Sequence, residues 1–210
     1  DHLAEARYSY AEIDARRDEI AAGMQRRLED EFTELGCELT DFRIENDRLN
    51  VADSEVFKRD PVNLIRFFAQ AELTNAHLHP NAIRLLRQSL RLIDDRLRND
   101  PEANRIFLDL VAARSNPENT LRRMNEAGVL GRFLPDFGHI VAMMQFNMYH
   151  HFTVDEHLIR TIGFLSDIER GKYALEHPVS TEVIRTIDNR RALFVAVLLG
   201  ENTDPILQCM

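Results

Sequence analysis

The chain has 210 residues, 44% hydrophobic and 29% charged, and a formal net charge of −9, a composition that can build a globular core but argues against binding nucleic acid with the whole surface, since neutralising phosphates needs an excess of Lys and Arg. Cys37 and Cys209 give neither a disulfide framework nor a CxxC metal motif. No apolar run approaches the ~20 residues that span a bilayer, and the charged start Asp1-His2-Leu3-Ala4-Glu5 is not a signal peptide, so a reducing, cytoplasmic setting without membrane is expected.

The start has no initiator Met and reads as a piece of a longer chain. Residues 1 to about 35 read as one amphipathic helix, with Ile13, Ile20, Met24, Leu28 and Phe32 at helical spacing and Gly36 as its stop. From Phe42 to Val51 apolar and polar residues alternate around Asn46-Asp47, a turn pair that tolerates positive φ, so a β-hairpin is expected over about 42–51. Ser54 is placed to cap a short helical turn through Phe57. Asp60-Pro61 reads as N-cap and first helical residue, with Val62, Leu64, Ile65, Phe68, Ala69 and Leu73 on the buried face and the Phe67-Phe68 pair in the core. His79-Pro80-Asn81 opens the next helix, with Ile83, Leu86, Leu90 and Ile93 inward. Asp100-Pro101 opens another, with Ile106, Phe107, Leu110 and Val111 inward. Asn116-Pro117 leads into a helix from Thr120 to Ala127, closed by Gly128. Gly131 and Pro135-Asp136 are expected to break the chain into turns up to Gly138. The stretch from His139 to Met148 is apolar, with Met143-Met144 in the core. Helices are then expected from Val154 to about Ile168, from about Ser180 to Ile187, and from Arg190 to Leu199, with a polar loop around Gly171. Helix after helix joined by Pro- and Gly-marked turns predicts an all-α fold with one small β-hairpin.

The chemistry gathers in Tyr149-His150-His151-Phe152-Thr153-Val154-Asp155-Glu156-His157, which runs into a helix start. Thr153 and Glu156 have the spacing of a capping box, and Asp155 and Glu156 suit the positive end of the helix dipole. Three histidines this close are candidate metal ligands, since neutral imidazole is a common metal donor, or ordinary cap and surface residues. Arg59, Arg66, Arg84 and Arg87 form either a basic face toward a nucleotide or protein, or salt bridges on an acidic chain.

The YHHFTVDEH string followed by an apolar helix resembles the opening of an HD-type metal-dependent phosphohydrolase domain. The resemblance implies that His157 is the first metal ligand, with His150, His151, Asp155 and Glu156 as candidate neighbours that orient it. It also implies a His-Asp doublet directly after Leu199, where this chain has Gly200-Glu201, so no complete catalytic set is expected. The tail 200–210 is atypical and reads as a cloning or reading-frame artefact rather than decay of a relative.

A wider resemblance runs from about residue 40 to Leu199. Lys58-Arg59-Asp60-Pro61-Val62-Asn63-Leu64-Ile65-Arg66-Phe67-Phe68, then Leu90-Arg91-Leu92-Ile93-Asp94-Asp95, then Arg122-Arg123-Met124-Asn125-Glu126-Ala127-Gly128-Val129-Leu130-Gly131-Arg132-Phe133-Leu134-Pro135-Asp136-Phe137, and finally Thr153-Val154-Asp155-Glu156-His157 stand in order. Together they are similar to the bifunctional uridylyltransferase/uridylyl-removing enzymes that act on the PII nitrogen-signalling protein. That likeness implies a helical connector over 1–138 after a nucleotidyltransferase domain, and the first helices of an HD domain over 139–199. It further implies PII, UTP and UMP as partners of the whole enzyme, glutamine as effector through other domains, and Mg or Mn as its divalent metal, with none held stably here. The transferase's Gly-Ser doublet is absent from this sequence. The first helices of an HD domain would leave apolar surface bare, which implies a homodimer through Ala192 to Leu199. The alternative is the helical RNA-binding body of a tRNA CCA-adding enzyme or poly(A) polymerase, which would need a basic stripe. The net acidity makes nucleic acid the less expected partner.

Overall fold

A computed structural model describes residues 41–141 and 153–200. The expected opening helix, Met143-Met144, His150, His151 and the tail from Glu201 onward lie outside these residues.

The hairpin forms as its alternation predicts. Strand β1 (Phe42–Glu45) pairs antiparallel with β2 (Arg48–Val51), with Phe42 opposite Val51 and Glu45 opposite Arg48. Asn46 and Asp47 turn the chain at φ 49° and 59°, the left-handed region that short polar side chains tolerate. A third strand, β3 (His77–Leu78), adds parallel to the free edge of β2. Two residues are too few to show a period of two, so sequence reasoning missed it. Sheet and helices cover β2 from both sides, and Leu49, Asn50 and Val51 are all buried.

The helix starts follow local chemistry, with corrections. Helix α1 (Val56–Arg59) is not capped by Ser54; the Asp53 carboxylate accepts from the Glu55 amide at 2.7 Å instead. Asp60 accepts from the Val62 amide at 3.0 Å, so Pro61-Val62 form a turn and helix α2 (Asn63–Leu73) begins after it. Its burial is not one stripe: Asn63, Arg66, Phe67 and Gln70 are enclosed with Leu64, Ile65 and Phe68, while Leu73 is 47% exposed. A helix surrounded on nearly all sides is a central one. Phe67 lies 5.7 Å from Phe42, 6.2 Å from Phe57 and 5.7 Å from Phe68, ring centre to ring centre, in tilted and edge-on contacts.

Helix α3 (Pro80–Ser89) is capped by His79, whose Nδ1 accepts from the Asn81 amide at 3.2 Å. A 3-10 turn (Leu90–Leu92) and the short helix α4 (Asp95–Arg98) follow. Asp100 caps α5 (Pro101–Val111), accepting from Glu102 and Ala103 amides at 2.9 Å each. Asn116 caps α6 (Pro117–Glu126), which therefore starts at Pro117 rather than Thr120. The expected turns up to Gly138 are two short helices, α7 (Leu130–Phe133) and α8 (Pro135–Ile140). They cross so closely that a methyl group on Gly138 would sit 2.3 Å from the Gly131 carbonyl oxygen.

Three further helices complete the described chain: α9 (Val154–Glu169), α10 (Pro178–Arg185) and α11 (Arg190–Leu199). Helix α9 packs on α6, α10 and α11, and α11 packs on α5. One hydrophobic cluster runs from Phe42 through α2, α5 and α6 to Ile159, Ile162, Phe194 and Leu198. The all-α class with a small β element holds. No helix among the described residues is long and apolar enough to cross a membrane.

Candidate functional site

The site is the first turn of α9, which carries Asp155, Glu156 and His157. Thr153 takes the extended backbone of an N-cap, φ −68° and ψ 159°, but its side chain makes no capping bond. The expected capping box is therefore not formed, because Glu156 has stronger partners. Its Oε1 accepts from Arg122 Nη2 at 2.7 Å and from Arg160 Nε at 3.0 Å. Charge-assisted bonds of this kind are roughly twice as strong as the neutral backbone bond a box would supply. The Arg122 hydrogen bond holds the Glu156 carboxyl below the ordinary glutamate range; burial works against it and Arg160 adds to it. Arg122 also donates to Glu118 at 2.9 Å. Beside it, Asn125 donates to the buried Asp155 carboxylate at 2.8 Å.

Both acidic residues of the turn are thus fastened to α6. Gly163, mid-helix in α9, makes the approach possible: a Cβ there would lie 2.0 Å from Glu118 Oε2 and 2.9 Å from Glu118 Cβ. Arg122 and Asn125 were not singled out from sequence. The one local signal was a glycine inside an otherwise helical pattern, which marks close packing.

His157 is half-buried, and its backbone continues the helix: its N–H donates to the Thr153 carbonyl and its own carbonyl accepts from Thr161 Oγ1. The next residue, Leu158, reaches the far end of α11. A methyl group on Gly200 would lie 3.0 Å from Leu158 Cδ2. The head of α9 and the C-terminal end of α11 are therefore neighbours.

The metal fit is tested by the donors. Among the described residues no group of three His, Cys, Asp or Glu side chains converges on a point that could hold a metal ion. The two carboxylates nearest in sequence to His157 bond to α6 side chains. The described donor set does not fit a metal centre.

The four arginines considered as a basic face separate. Arg59 pairs with Asp41 at 2.9 Å and Asp53 at 2.7 Å. Arg66 is buried between Glu102, at 2.8 and 2.5 Å, and Asp60. Burial opposes its charge, and the bonds to Glu102 and Asp60 outweigh that and raise its pKa. Arg84 and Arg87 instead stand exposed on α3, bonded to the Asn81 and Gln88 side chains and to the Glu126 carbonyl.

No solved structure matches the chain. Residues 42–133, from β1 through α7, match the family model described as the uridylyltransferase GlnD third domain. With the hairpin, the buried Arg66 and the Gly131 crossing all inside or at the edge of that match, residues 42–133 are similar to the third domain of a GlnD-type uridylyltransferase, and the match supports a fragment of such an enzyme.

Proposed function

We propose that this chain serves an enzyme that uridylylates and de-uridylylates the PII protein in response to glutamine, as the segment joining the transferase to an HD-type hydrolase. Residues 139–199 are read as the start of that hydrolase, and Mg or Mn, UTP and PII as ligands of the whole enzyme in the cytoplasm. One observation carries the reading: Leu158, next to His157, meets Gly200, the position where an HD site needs its His-Asp doublet. A ligand at the head of one helix and a doublet at the end of a later one can share a cation only if the two ends adjoin.

On this reading neither active site is complete in the 210 residues. His150 and His151 are proposed as neighbours of the metal ligand His157, while Asp155 and Glu156 hold its turn in place. The RNA-binding alternative draws no support from Arg59 and Arg66, whose charge is met by carboxylates.

The test restores the doublet. With Gly200→His and Glu201→Asp, titration calorimetry should detect Mn²⁺ binding that disappears on adding His157→Ala. Binding that ignores His157, or none at all, would overturn the hydrolase assignment. The unaltered chain should release no UMP from uridylylated PII with Mn²⁺ beyond a His157→Ala control.

A further inference from the structure

Beside the α3 helix lies an open groove of about 640 Å³ lined by Leu78, Pro80, Ile83, Arg84, Arg87 and Gln88. Its floor is apolar: Leu78 and Ile83 are half-buried and pack on the hydrophobic core. Its rim is cationic. Arg84 and Arg87 stand one helical turn apart, on the same face. Neither has a carboxylate partner among the described residues: Arg84 donates to Asn81 and Gln88 side-chain oxygens at 2.9 and 3.3 Å, and Arg87 to the Glu126 carbonyl at 3.0 Å. Arg91, exposed on the 3-10 turn that continues α3, extends the row.

Many arginines of the fold are ion-paired instead, although Arg123, like Arg87, is left to a backbone carbonyl. Arg59, Arg66, Arg98, Arg122, Arg170, Arg190 and Arg191 each have a carboxylate within salt-bridge distance. On a chain with 35 acidic against 26 basic residues, guanidiniums left to neutral oxygens beside an apolar floor mark a surface complementary to an acidic, partly apolar ligand. The lining has no aromatic ring on which a nucleobase could stack. Pro80 offers no N–H toward a phosphate.

We propose that this groove docks an acidic segment of a protein partner, with carboxylates on Arg84 and Arg87 and an apolar side chain on Leu78, Pro80 and Ile83. The proposal goes beyond the hydrolase reading and does not depend on it, because every residue involved lies within the GlnD third-domain match.

The probe is a fluorescein-labelled helical peptide of about 15 residues, long enough to hold some helix in solution. It carries glutamates on one face flanked by leucines, and is compared with its Gln-for-Glu and Lys-for-Glu counterparts. Anisotropy should show the Glu peptide binding the 210-residue chain more tightly than the Gln peptide, and weakening as salt rises. The double variant Arg84→Glu with Arg87→Glu should weaken that binding about tenfold or more and strengthen binding of the Lys peptide. Its melting temperature should stay that of the parent, since both side chains are exposed. Equal binding of the Glu and Gln peptides, or no loss in the double variant, overturns the proposal. So does tighter binding of UTP or single-stranded RNA through the same arginines, which would make the groove a nucleotide site. A homodimer dissolved by the double variant would make the occupant a second copy, and overturns it too.

Discussion

The third-domain region, 42–133, and the region of α9–α11, 154–199, bury their side chains by different means. The first closes on itself. Phe67 meets three other rings, Phe107 meets Phe133 at 5.0 Å, and even the charge of Arg66 is neutralised inside the same region. The second borrows its interior. Ile159, Ile162, Phe194 and Leu198 join a cluster most of whose members belong to the first region, and charged bonds from Arg122 to Glu156 and from Arg191 to Asp109 tie the two regions together. The turn that carries His157 is thus fastened through Asp155 and Glu156 to a helix outside its own region.

The largest break expected is Phe67→Ala, which removes a ring with 0% exposure from the centre of the first region. It should cost about 4 kcal/mol by transfer and cavity terms and unfold both regions in one denaturant transition. Two separated transitions would show that α9–α11 hold together unaided. Arg122→Ala should cost about 2 kcal/mol, since it leaves Glu118 partly enclosed without its cation and Glu156 with Arg160 alone. Hydrogen exchange should then quicken in the first turns of α9 and stay unchanged in α2. Equal quickening in both helices would erase the distinction between regions.

Gln70 sharpens the comparison from the other side. It is fully buried, and both polar atoms of its side chain lack a hydrogen-bond partner among the described residues. Gln70→Leu should stabilise by about 1 kcal/mol in chemical denaturation, because an unsatisfied buried amide carries a desolvation cost. A loss of stability instead would indicate a water or partner bound to that amide.

The Glu156 clamp should also respond to acid. Its carboxyl is held below the ordinary value first by the Arg122 hydrogen bond, so its folded pKa lies under the unfolded one. The stabilisation is then complete above the unfolded glutamate value of about 4.3 and is lost as pH falls from there through the folded value. The stability difference between parent and Glu156→Gln should be constant at neutral pH and shrink below about pH 4.3. The smallest effect is expected at α10, where Val179 and Val183 are 71 and 52% exposed beside Leu175 of the preceding turn. Val179→Ser should change stability by no more than about 0.5 kcal/mol. Light scattering on the same variant checks whether any self-association uses that stripe rather than Ala192 to Leu199, two of whose side chains, Phe194 and Leu198, are already buried.

Local chemistry was legible wherever one residue controls one bond. Asp100 and Asn116 before prolines, His79 before Pro80, Asn46-Asp47 between alternating runs, and the span Arg190–Leu199 all stand where the sequence puts them. Less legible were elements too short for a period, such as β3, α7 and α8. At the site, Thr153 and Glu156 had the spacing of a capping box, yet spacing along one helix says nothing of an arginine on another. The same holds for Arg66 and Arg84, alike in sequence but opposite in burial.

By itself the sequence determined the all-α class, several of the helix starts, the hairpin and the likeness of 42–133 to the GlnD third domain, since each follows from residues close together in the chain or from their order. Only the tertiary structure decided that α9 is clamped to α6, that Leu158 meets Gly200, and that Arg84 and Arg87 meet no carboxylate among the described residues. Those outcomes depend on which helix faces which, and the energies that choose a face come from contacts between residues tens of positions apart, which no local pattern records.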